Sequence, residues 1–174
     1  MSGHMKSTFL LGTLFSLVLV VGCSKNESAA PAASSSAPAA SASAPAAGPR
    51  VINIDASDTM KFSVTRIEAT PGESLKVALH NKGTLPKEAM GHNWVLLKAG
   101  TDPIAFCTVA VTAKATDYVP ASEAGKVIVH TKLLGPKEVD EVSFNAPTEP
   151  GEYPFVCSFP AHAMSGMKGV LVVK

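Results

Sequence analysis

Short apolar segments, each bounded by turn-forming residues, run through the chain from residue 50 to residue 174. The segment SLKVALHN places Leu75, Val77 and Leu79 on one face of an extended chain, and a two-residue period of this kind is typical of a half-buried strand. Turn residues separate the segments in stretches such as TPGES and PTEPGEY. Seven further segments have similar character: VINI, FSVTRIEA, HNWVLL, KVIVHTKLL, EVSFNAP, EYPFVCSF and KGVLVVK. The pattern therefore predicts an all-β fold, a Greek-key β-sandwich of about eight strands.

One internal region, residues 99–125, lacks clean alternation and is predicted to form a flap with a short helix, packed on the sandwich. Cys107 lies in this region among apolar neighbours that include Ile104, Phe106 and Val109. A cysteine in such surroundings behaves as a small buried hydrophobe. We therefore expect Cys107 to be an inert thiol rather than a ligand or a nucleophile.

The first 23 residues have the organisation of an export signal. Residues 1–4, MSGH, indicate a remnant of an expression vector ahead of a natural start at Met5. Within residues 5–23, Lys6 precedes the apolar run FLLGTLFSLVLVVG, which is shorter than the about 20 residues of a membrane span. The run resembles a bacterial lipoprotein signal in which Cys23 of VVGC becomes lipidated. An uncleaved anchor helix is the alternative, and both interpretations predict an exported, membrane-attached protein at the periplasmic face or cell surface.

Residues 24–49 consist almost wholly of Ala, Ser and Pro. Such a composition offers too few large apolar groups to offset the entropy lost on ordering, so this region is predicted to be a flexible linker. Residues 50–174 remain for the folded domain, which is enough chain for one core. The whole chain has 15 Lys and Arg against 14 Asp and Glu, a net charge of +1. This balance gives no indication of a nucleic-acid partner.

Residues that bind soft metals are concentrated near the end of the chain. The stretch FVCSFPAHAMSGMKG contains Cys157, His162, Met164 and Met167. A second imidazole, His92, lies at the start of a predicted strand, and strands that are distant in sequence become neighbours in a Greek-key sandwich. Two imidazoles, a thiolate and a distant axial thioether are the ligand set of blue-copper electron-transfer sites. We therefore expect these side chains to meet at one end of the sandwich.

Three motifs, MGHNWVL, HTKLLG and FVCSFPAHAMSGMKGVLVVK, resemble those of azurins and auracyanins, which are cupredoxins (type 1 blue copper proteins). The resemblance extends from about residue 51 to residue 174. It implies one copper ion that cycles between Cu(I) and Cu(II). It assigns His92, Cys157 and His162 as equatorial ligands and Met167 as the axial ligand. It also implies a weak contact from the Gly91 carbonyl on the opposite axial side.

The spacing of the axial methionine departs from that of azurins. Met167 follows His162 by five residues instead of four, as in auracyanins and plastocyanins, and this insertion bears on the Gly91 contact. Met164 is the alternative axial ligand, but a loop of two residues is short for bringing its thioether to that position. The segments that carry the N-terminal disulfide of azurins contain no cysteine here, so less of the stability is expected to come from cross-linking.

Residues next to the ligands are expected to tune the site and to expose it to partners. Hydrogen bonds to the cysteine sulfur tune the potential of a blue-copper centre. The Asn93 side chain is expected to tie its loop to the cysteine loop, and the backbone N–H of Phe159 to donate to the sulfur. The resemblance also implies an apolar patch around His162 for brief docking of protein redox partners. This predicted docking patch comprises Met60, Leu85, Met90, Phe159, Pro160 and Ala161. For Met60 and Leu85, the alternative interpretation is that they belong to the hydrophobic core.

The leading hypothesis is a membrane-tethered copper protein that transfers electrons between redox partners, with no enzymatic activity and no small-molecule substrate. Multicopper enzymes need further copper sites with His-x-His ligands, and the sequence contains no His-x-His. A structural zinc site normally uses four strong ligands, and a nucleophilic cysteine needs an orienting third residue that is not evident near Cys157. The remaining alternative is a copper-trafficking or storage protein of the exported compartment, which would favour a more open, methionine-rich site.

Overall fold

Two β-sheets account for most of the regular structure. The computed structural model describes residues 48–174 of the chain, and these form eight strands and two short α-helices. The strands are β1 (Arg50–Ala56), β2 (Arg66–Ala69), β3 (Ser74–Asn81), β4 (Val95–Leu97), β5 (Val127–His130), β6 (Val139–Asn145), β7 (Gly151–Val156) and β8 (Lys168–Val173). One sheet has the order β1-β3-β6, and the other has the order β2-β8-β7-β4-β5. The chain passes repeatedly between the sheets, so strands that are distant in sequence become neighbours.

Alternation of buried and exposed residues explains why these segments pair as they do. Along β1, Ile52, Ile54 and Ala56 are buried while the residues between them are exposed. β1 pairs in parallel with β3, which places Ile52 beside Val77 and Ile54 beside Leu79. A shift of one residue would turn every one of these apolar side chains toward water, so the pattern specifies the register.

The core lies between the two sheets. Trp94 is fully buried, with its ring centroid 5.4 Å from that of Phe155 and 6.0 Å from that of Phe144. Phe155 belongs to β7 and Phe144 to β6, so these aromatic contacts join the two sheets. Removal of this apolar surface from water is the main favourable contribution to folding. The prediction of an all-β Greek-key sandwich with about eight strands is confirmed.

The predicted flap contains the longer helix, α2 (Pro103–Ala110). The side chain of Asp102 accepts hydrogen bonds from the N–H groups of Ile104 at 2.8 Å and Ala105 at 3.2 Å, and Pro103 opens the helix with a preset backbone angle. Two 3₁₀ helices complete the region, at Lys114–Thr116 and Ala121–Lys126. The flap therefore combines one capped helix with irregular turns, as its mixed pattern indicates.

Some boundaries differ from those predicted. The run FSVTRIEA is predicted as one strand, but only Arg66–Ala69 pairs in the sheet, and Phe62 makes a single bridge with Ala56. A one-turn helix, α1 (Lys87–Met90), lies between β3 and β4 and is absent from the prediction. Four residues are too few to show a helical period in the sequence, so no pattern indicated it.

The predicted vector remnant, the signal segment with Cys23 and residues 24–47 of the linker lie outside the described residues. The domain boundaries drawn from the sequence therefore stay predictions. Within residues 48–174, no helix is both long enough and apolar enough to cross a membrane.

Candidate metal centre

The ends of three neighbouring strands meet at one edge of the larger sheet. β7 lies between β4 and β8 and is antiparallel to both. The start of β4, the end of β7 and the start of β8 are therefore side by side. His92 precedes β4, Cys157 follows β7 at once, and Met167 directly precedes β8. Strand order alone thus places three of the predicted ligands at the same end of the sandwich.

His92 is held by backbone pairing with the loop between β5 and β6. Its N–H donates to the Leu134 carbonyl at 3.1 Å, and its carbonyl accepts from the Leu134 N–H at 2.7 Å. A Cβ at Gly91 would lie 2.7 Å from the Lys87 carbonyl oxygen and 3.0 Å from Leu133 Cγ. Any side chain at Gly91 would therefore push the His92 segment out of place, so close packing is what requires the glycine.

The loop between β7 and β8 is closed by its own backbone hydrogen bonds. The N–H of Cys157 donates to the Met167 carbonyl at 3.0 Å, and the N–H of Met167 donates to the His162 carbonyl at 2.9 Å. Met167 is fully buried in the same apolar cluster as Cys157, whereas Met164 is 65% exposed. The two methionines of the loop therefore have opposite environments.

Three of the predicted ligands converge in the buried space at this edge. Cys157 Sγ lies 3.4 Å from His162 Nδ1 and 4.0 Å from His92 Nδ1. All three ligand atoms lie within 4.8 Å of one another. Metal–nitrogen and metal–sulfur bonds are about 2.0–2.3 Å long, so donor atoms that share one ion are about 3–4 Å apart. One sulfur and two imidazole nitrogens at this spacing fit a single copper ion.

Burial keeps both imidazoles neutral at neutral pH. Burial, with a smaller contribution from the neighbouring His92, lowers the pKa of His162 to about 4. Burial also lowers the pKa of His92, against smaller opposing effects of the Asp58 carboxylate and the Ser57 carbonyl. His92 Nε2 is nevertheless buried without a hydrogen-bond partner among the described residues. A neutral imidazole has a free nitrogen lone pair, which is the form that binds a metal.

The thiol of Cys157 is protonated in the absence of a metal. Burial raises its pKa to about 12, although the backbone N–H groups of Asn93 and Phe159 act to lower it. The thiolate is the form that binds metals, so the thiol must release this proton on loading. Asn93 and Phe159 are thus the residues whose backbone N–H groups act on this sulfur, and N–H donors near a ligand atom orient and tune a metal ligand.

The Asn93 side chain joins the two loops that carry the candidate ligands. Its Oδ1 accepts from the Ser158 N–H at 2.8 Å, and its Nδ2 donates to Ser158 Oγ at 2.8 Å and to the Asp117 carbonyl at 2.9 Å. Asn93 and Ser158 are both fully buried. Asn93 is identified by the sequence pattern, but Ser158 and Asp117 are not, because their contribution depends on contacts between distant segments.

The residues of the predicted docking patch differ in exposure. Leu85 is 43% exposed and Ala161 is exposed, whereas Phe159 is buried with its ring centroid 4.7 Å from that of His162. The half-buried members are Met60, Met90 and Pro160. His162 is only 2% exposed, so the surface above it is formed by its neighbours.

The remaining cysteine and histidines of the described residues lie apart from these donors. Cys107 is free and 7% exposed, and burial raises its pKa to about 12. Its sulfur lies 3.9 Å from the Cys157 carbonyl oxygen. His80 Nε2 lies 3.4 Å from Asn53 Oδ1, and His130 is exposed. The buried, neutral thiol of Cys107 is therefore unreactive.

Comparison with known proteins identifies the family. The model of copper-binding proteins of the plastocyanin/azurin family matches residues 50–174. The chain belongs to this family. It is a cupredoxin, and its cofactor is one copper ion, which the convergent thiol and imidazoles described above fit.

Individual relatives of this cupredoxin support the same conclusion. Azurin from Pseudomonas chlororaphis is 38% identical over 127 residues, which cover 71% of this chain and 97% of that protein. Outer membrane protein H.8 of Neisseria meningitidis serogroup B is 39% identical over 111 residues, which cover 63% of this chain and 60% of that protein. The crystal structure of reduced auracyanin from the photosynthetic bacterium Roseiflexus castenholzii has a TM-score of 0.64 and 32% identity, over 74% of this chain and 99% of that chain. The predicted resemblance to azurins and auracyanins is confirmed.

Proposed function

We propose that this cupredoxin is a membrane-tethered electron carrier and not an enzyme. The observation that carries the proposal is the convergence of Cys157 Sγ and one ring nitrogen each of His92 and His162 within 4.8 Å. A copper ion held there supplies reversible one-electron exchange between Cu(I) and Cu(II). The donors are buried in a closed site, which favours the movement of electrons over the binding of a substrate.

In this proposal, His92, Cys157 and His162 would hold the copper ion, and Met167 would supply the thioether. The full burial of Met167, against 65% exposure of Met164, supports this choice between the methionines. A closed set with one buried methionine also argues against copper trafficking or storage, for which open sites that release the ion are better suited.

Groups next to the ligands complete the proposed site. The Gly91 carbonyl would make a weak contact with the ion, and the tight packing of Gly91 against Leu133 supports its fixed position beside His92. The backbone N–H groups of Asn93 and Phe159 donate to the cysteine sulfur, and their effect on its pKa supports this role.

The contribution of the chain is to hold these donors still. Backbone hydrogen bonds hold His92 to Leu134 and Cys157 to Met167, and the Asn93 amide joins their loops through Ser158. Ligands that are held in one arrangement need little rearrangement when the charge of the site changes. The fold therefore favours fast electron exchange.

Protein redox partners are proposed to dock briefly at the apolar patch above His162. Exposed Leu85 and Ala161 lie in the patch, and the Phe159 ring packs on the His162 imidazole. Exposed apolar surface of limited size suits a short-lived complex rather than a permanent one. Electrons would enter and leave by this edge.

We further propose that lipidated Cys23 anchors the protein at the periplasmic face or the cell surface. The predicted signal ending at Cys23 supports this location, as does the relative that is named an outer membrane protein. The linker of residues 24–49 would keep the domain at high local concentration near membrane partners while leaving its copper edge free to turn.

Spectroscopy on the purified chain tests the copper site. After addition of Cu(II), we expect an intense thiolate-to-copper band in the red region and a narrow copper hyperfine splitting by electron paramagnetic resonance. Cys157→Ser should abolish both signals, whereas Met164→Leu, the matched control in the same loop, should retain them. A pale spectrum of ordinary Cu(II) in the unmodified protein would overturn the proposal and favour the trafficking alternative.

The anchor is tested separately by fractionation of cells that export the protein. Cys23→Ala should lose incorporated fatty acid and move from the membrane fraction to the soluble fraction or remain unprocessed. Lipidation at Cys23 would be contradicted if neither the unmodified protein nor Cys23→Ala incorporated fatty acid while both were processed and membrane-bound.

A further inference from the structure

The turn at Asp117 and Tyr118 in the flap has an unusual backbone. Both residues lie in the left-handed region, with φ of 54° and 62°. A left-handed aspartate after a helix end is common, and Asp117 follows the 3₁₀ helix Lys114–Thr116. A bulky residue in the same conformation directly after it is rare and persists only where the surrounding structure holds it. Three contacts from this turn lead to the metal centre.

The first contact fixes the Asn93 amide. A primary amide has two N–H donors and one acceptor oxygen. Ser158 Oγ accepts a hydrogen bond from one amide N–H, and the Ser158 N–H donates to the amide oxygen. The Asp117 carbonyl accepts from the other amide N–H at 2.9 Å. Because Asn93 is fully buried, its amide would have to find a replacement partner if the Asp117 carbonyl moved away. The turn therefore completes the hydrogen bonds that join the two ligand loops.

The second contact covers the imidazole that lies nearest the surface. The Tyr118 ring meets the Phe159 ring edge-on, with centroids 5.1 Å apart. Phe159 in turn packs against His162, with centroids 4.7 Å apart. Tyr118 is 6% exposed and Phe159 is 7% exposed, so this stack shields the imidazole edge from water. Tyr118 therefore contacts a residue of the loop that carries both Cys157 and His162.

The third contact reaches the segment that supports His92. Asp117 Oδ2 accepts a hydrogen bond from the Leu133 N–H at 3.2 Å. The Leu133 side chain packs where a Cβ at Gly91 would stand, and the next residue, Leu134, pairs with the His92 backbone. One two-residue turn therefore contacts the supports of both loops.

We propose that Asp117 and Tyr118 are positioning residues of the metal centre. Their turn holds the Asn93 amide and the Phe159 ring in place, and these two residues belong to the two loops that carry the candidate ligands. Both act through Asn93 and Phe159 and not by contact with the metal. We call the contacts of this turn with Asn93, Phe159 and Leu133 the clamp. The clamp is a property of the metal-free chain, whereas its consequence for copper rests on the proposed electron-carrier function.

The metal-free chain tests the clamp without copper. The rate at which the Asn93 side-chain amide protons exchange with solvent is measured by NMR on the nitrogen-15-labelled protein. In Asp117→Gly the carboxylate is lost and the backbone is freed, so we expect exchange at least about tenfold faster because local opening becomes easier. Asp117→Asn keeps an acceptor for the Leu133 N–H and tolerates a positive φ, so it should retain the rate of the unmodified protein.

A matched control separates this clamp from a general loss of stability. Lys137 is also left-handed, with φ of 66°, but its N–H donates to the Asn81 carbonyl in the turn before β6. Lys137→Gly should leave the Asn93 exchange rate unchanged. Tyr118→Leu removes the edge-on ring and provides a second variant should Asp117→Gly fold poorly. Unchanged exchange in both flap variants would overturn the clamp.

The copper-loaded variants test whether the clamp tunes the site. Asp117→Gly and Tyr118→Leu should shift the thiolate-to-copper band and change the ratio of oxidised to reduced protein at a fixed potential by at least about threefold. Asp117→Asn and Lys137→Gly should change neither. Faster exchange with an unchanged band and ratio would overturn the positioning role. If the copper-loaded protein shows no blue spectrum, the carrier function is rejected. Faster exchange in the metal-free flap variants would still support the clamp in that case.

Discussion

Burial determines the chemistry of each candidate ligand at the residue scale. His92, Cys157 and His162 are at most 2% exposed, and a buried charge is costly unless it is compensated. A thiolate with Cu(I) is neutral overall, whereas the same thiolate with Cu(II) has a net charge of +1. Burial in a medium of low dielectric constant therefore favours the reduced state and raises the reduction potential.

Replacement of the buried methionine should raise the potential further. Met167→Leu preserves the apolar volume but removes the thioether, so the oxidised state loses a donor. We expect the midpoint potential to rise by at least about 59 mV, which is tenfold in the ratio of oxidised to reduced protein. Voltammetry measures this shift. Met164→Leu should leave the potential unchanged, and the opposite result would exchange the roles of the two methionines.

The metal-free protein should lose stability in mild acid. The imidazoles of His92 and His162 have pKa values below the ordinary 6.5, that of His162 at about 4. Between these values the unfolded chain binds more protons than the native state, so the free energy of unfolding falls as pH falls from about 6.5 to about 4. Urea midpoints at a series of pH values measure this. A smaller slope is expected for His162→Gln, and equal slopes would remove His162 from the explanation.

At the scale of secondary structure, the site depends on how closely β8 approaches its neighbours. Gly169 lies in β8, where a Cβ would overlap the Phe155 ring and the Thr65 carbonyl oxygen. Phe155 is fully buried, and the Thr65 carbonyl already accepts a hydrogen bond from Val170 at 2.9 Å. Because both groups are held in place, a side chain at position 169 would not fit, which explains the glycine at the end of the motif MKG.

Gly169→Ala should therefore destabilise the fold. Overpacking of a filled core costs about 1–3 kcal/mol, and we expect a loss of that size in the free energy of unfolding measured with urea. Gly125→Ala is the matched control, because a Cβ there meets nothing within 4 Å, and its effect should stay within about 0.5 kcal/mol. Equal stability of the two variants would show that β8 shifts to make room.

At the scale of the whole molecule, part of the proposed docking patch lies between two candidate ligands, because Phe159, Pro160 and Ala161 separate Cys157 from His162. Leu85 is 43% exposed in that patch, and Val51 is 52% exposed on β1 in the other sheet. The two residues therefore allow a comparison of exposed apolar side chains inside and outside the proposed patch.

A charge placed in the patch should slow electron exchange between two copies of the protein. Leu85→Glu adds repulsion between like charges and removes an apolar contact, so we expect the self-exchange rate to fall by about tenfold at low salt. NMR line broadening of mixed oxidised and reduced protein measures this rate. Val51→Glu should leave the rate unchanged, and equal slowing by both variants would contradict docking at the patch.

Much of the fold was predictable because its signals are local. The two-residue period of β1 and β3 is visible without any contact information, since each strand buries one face. Helix α1 and the unpaired part of FSVTRIEA were not predictable, because a single turn has no period and an apolar residue such as Phe62 is buried equally well beside a strand. The chemistry of the candidate site was predictable from residue types, and the assignment of individual ligands stays a prediction.

By itself, the sequence determined the all-β class, the set of soft donors and the family, because these depend on residue type and short spacing. Only the tertiary structure decided which distant segments meet. Adjacent ends of β4 and β7 bring His92 to Cys157, and the flap brings Asp117 to Asn93. The loop buries Met167 and exposes Met164. The physical reason is that strand order and register follow from packing across the whole core, which no local pattern specifies.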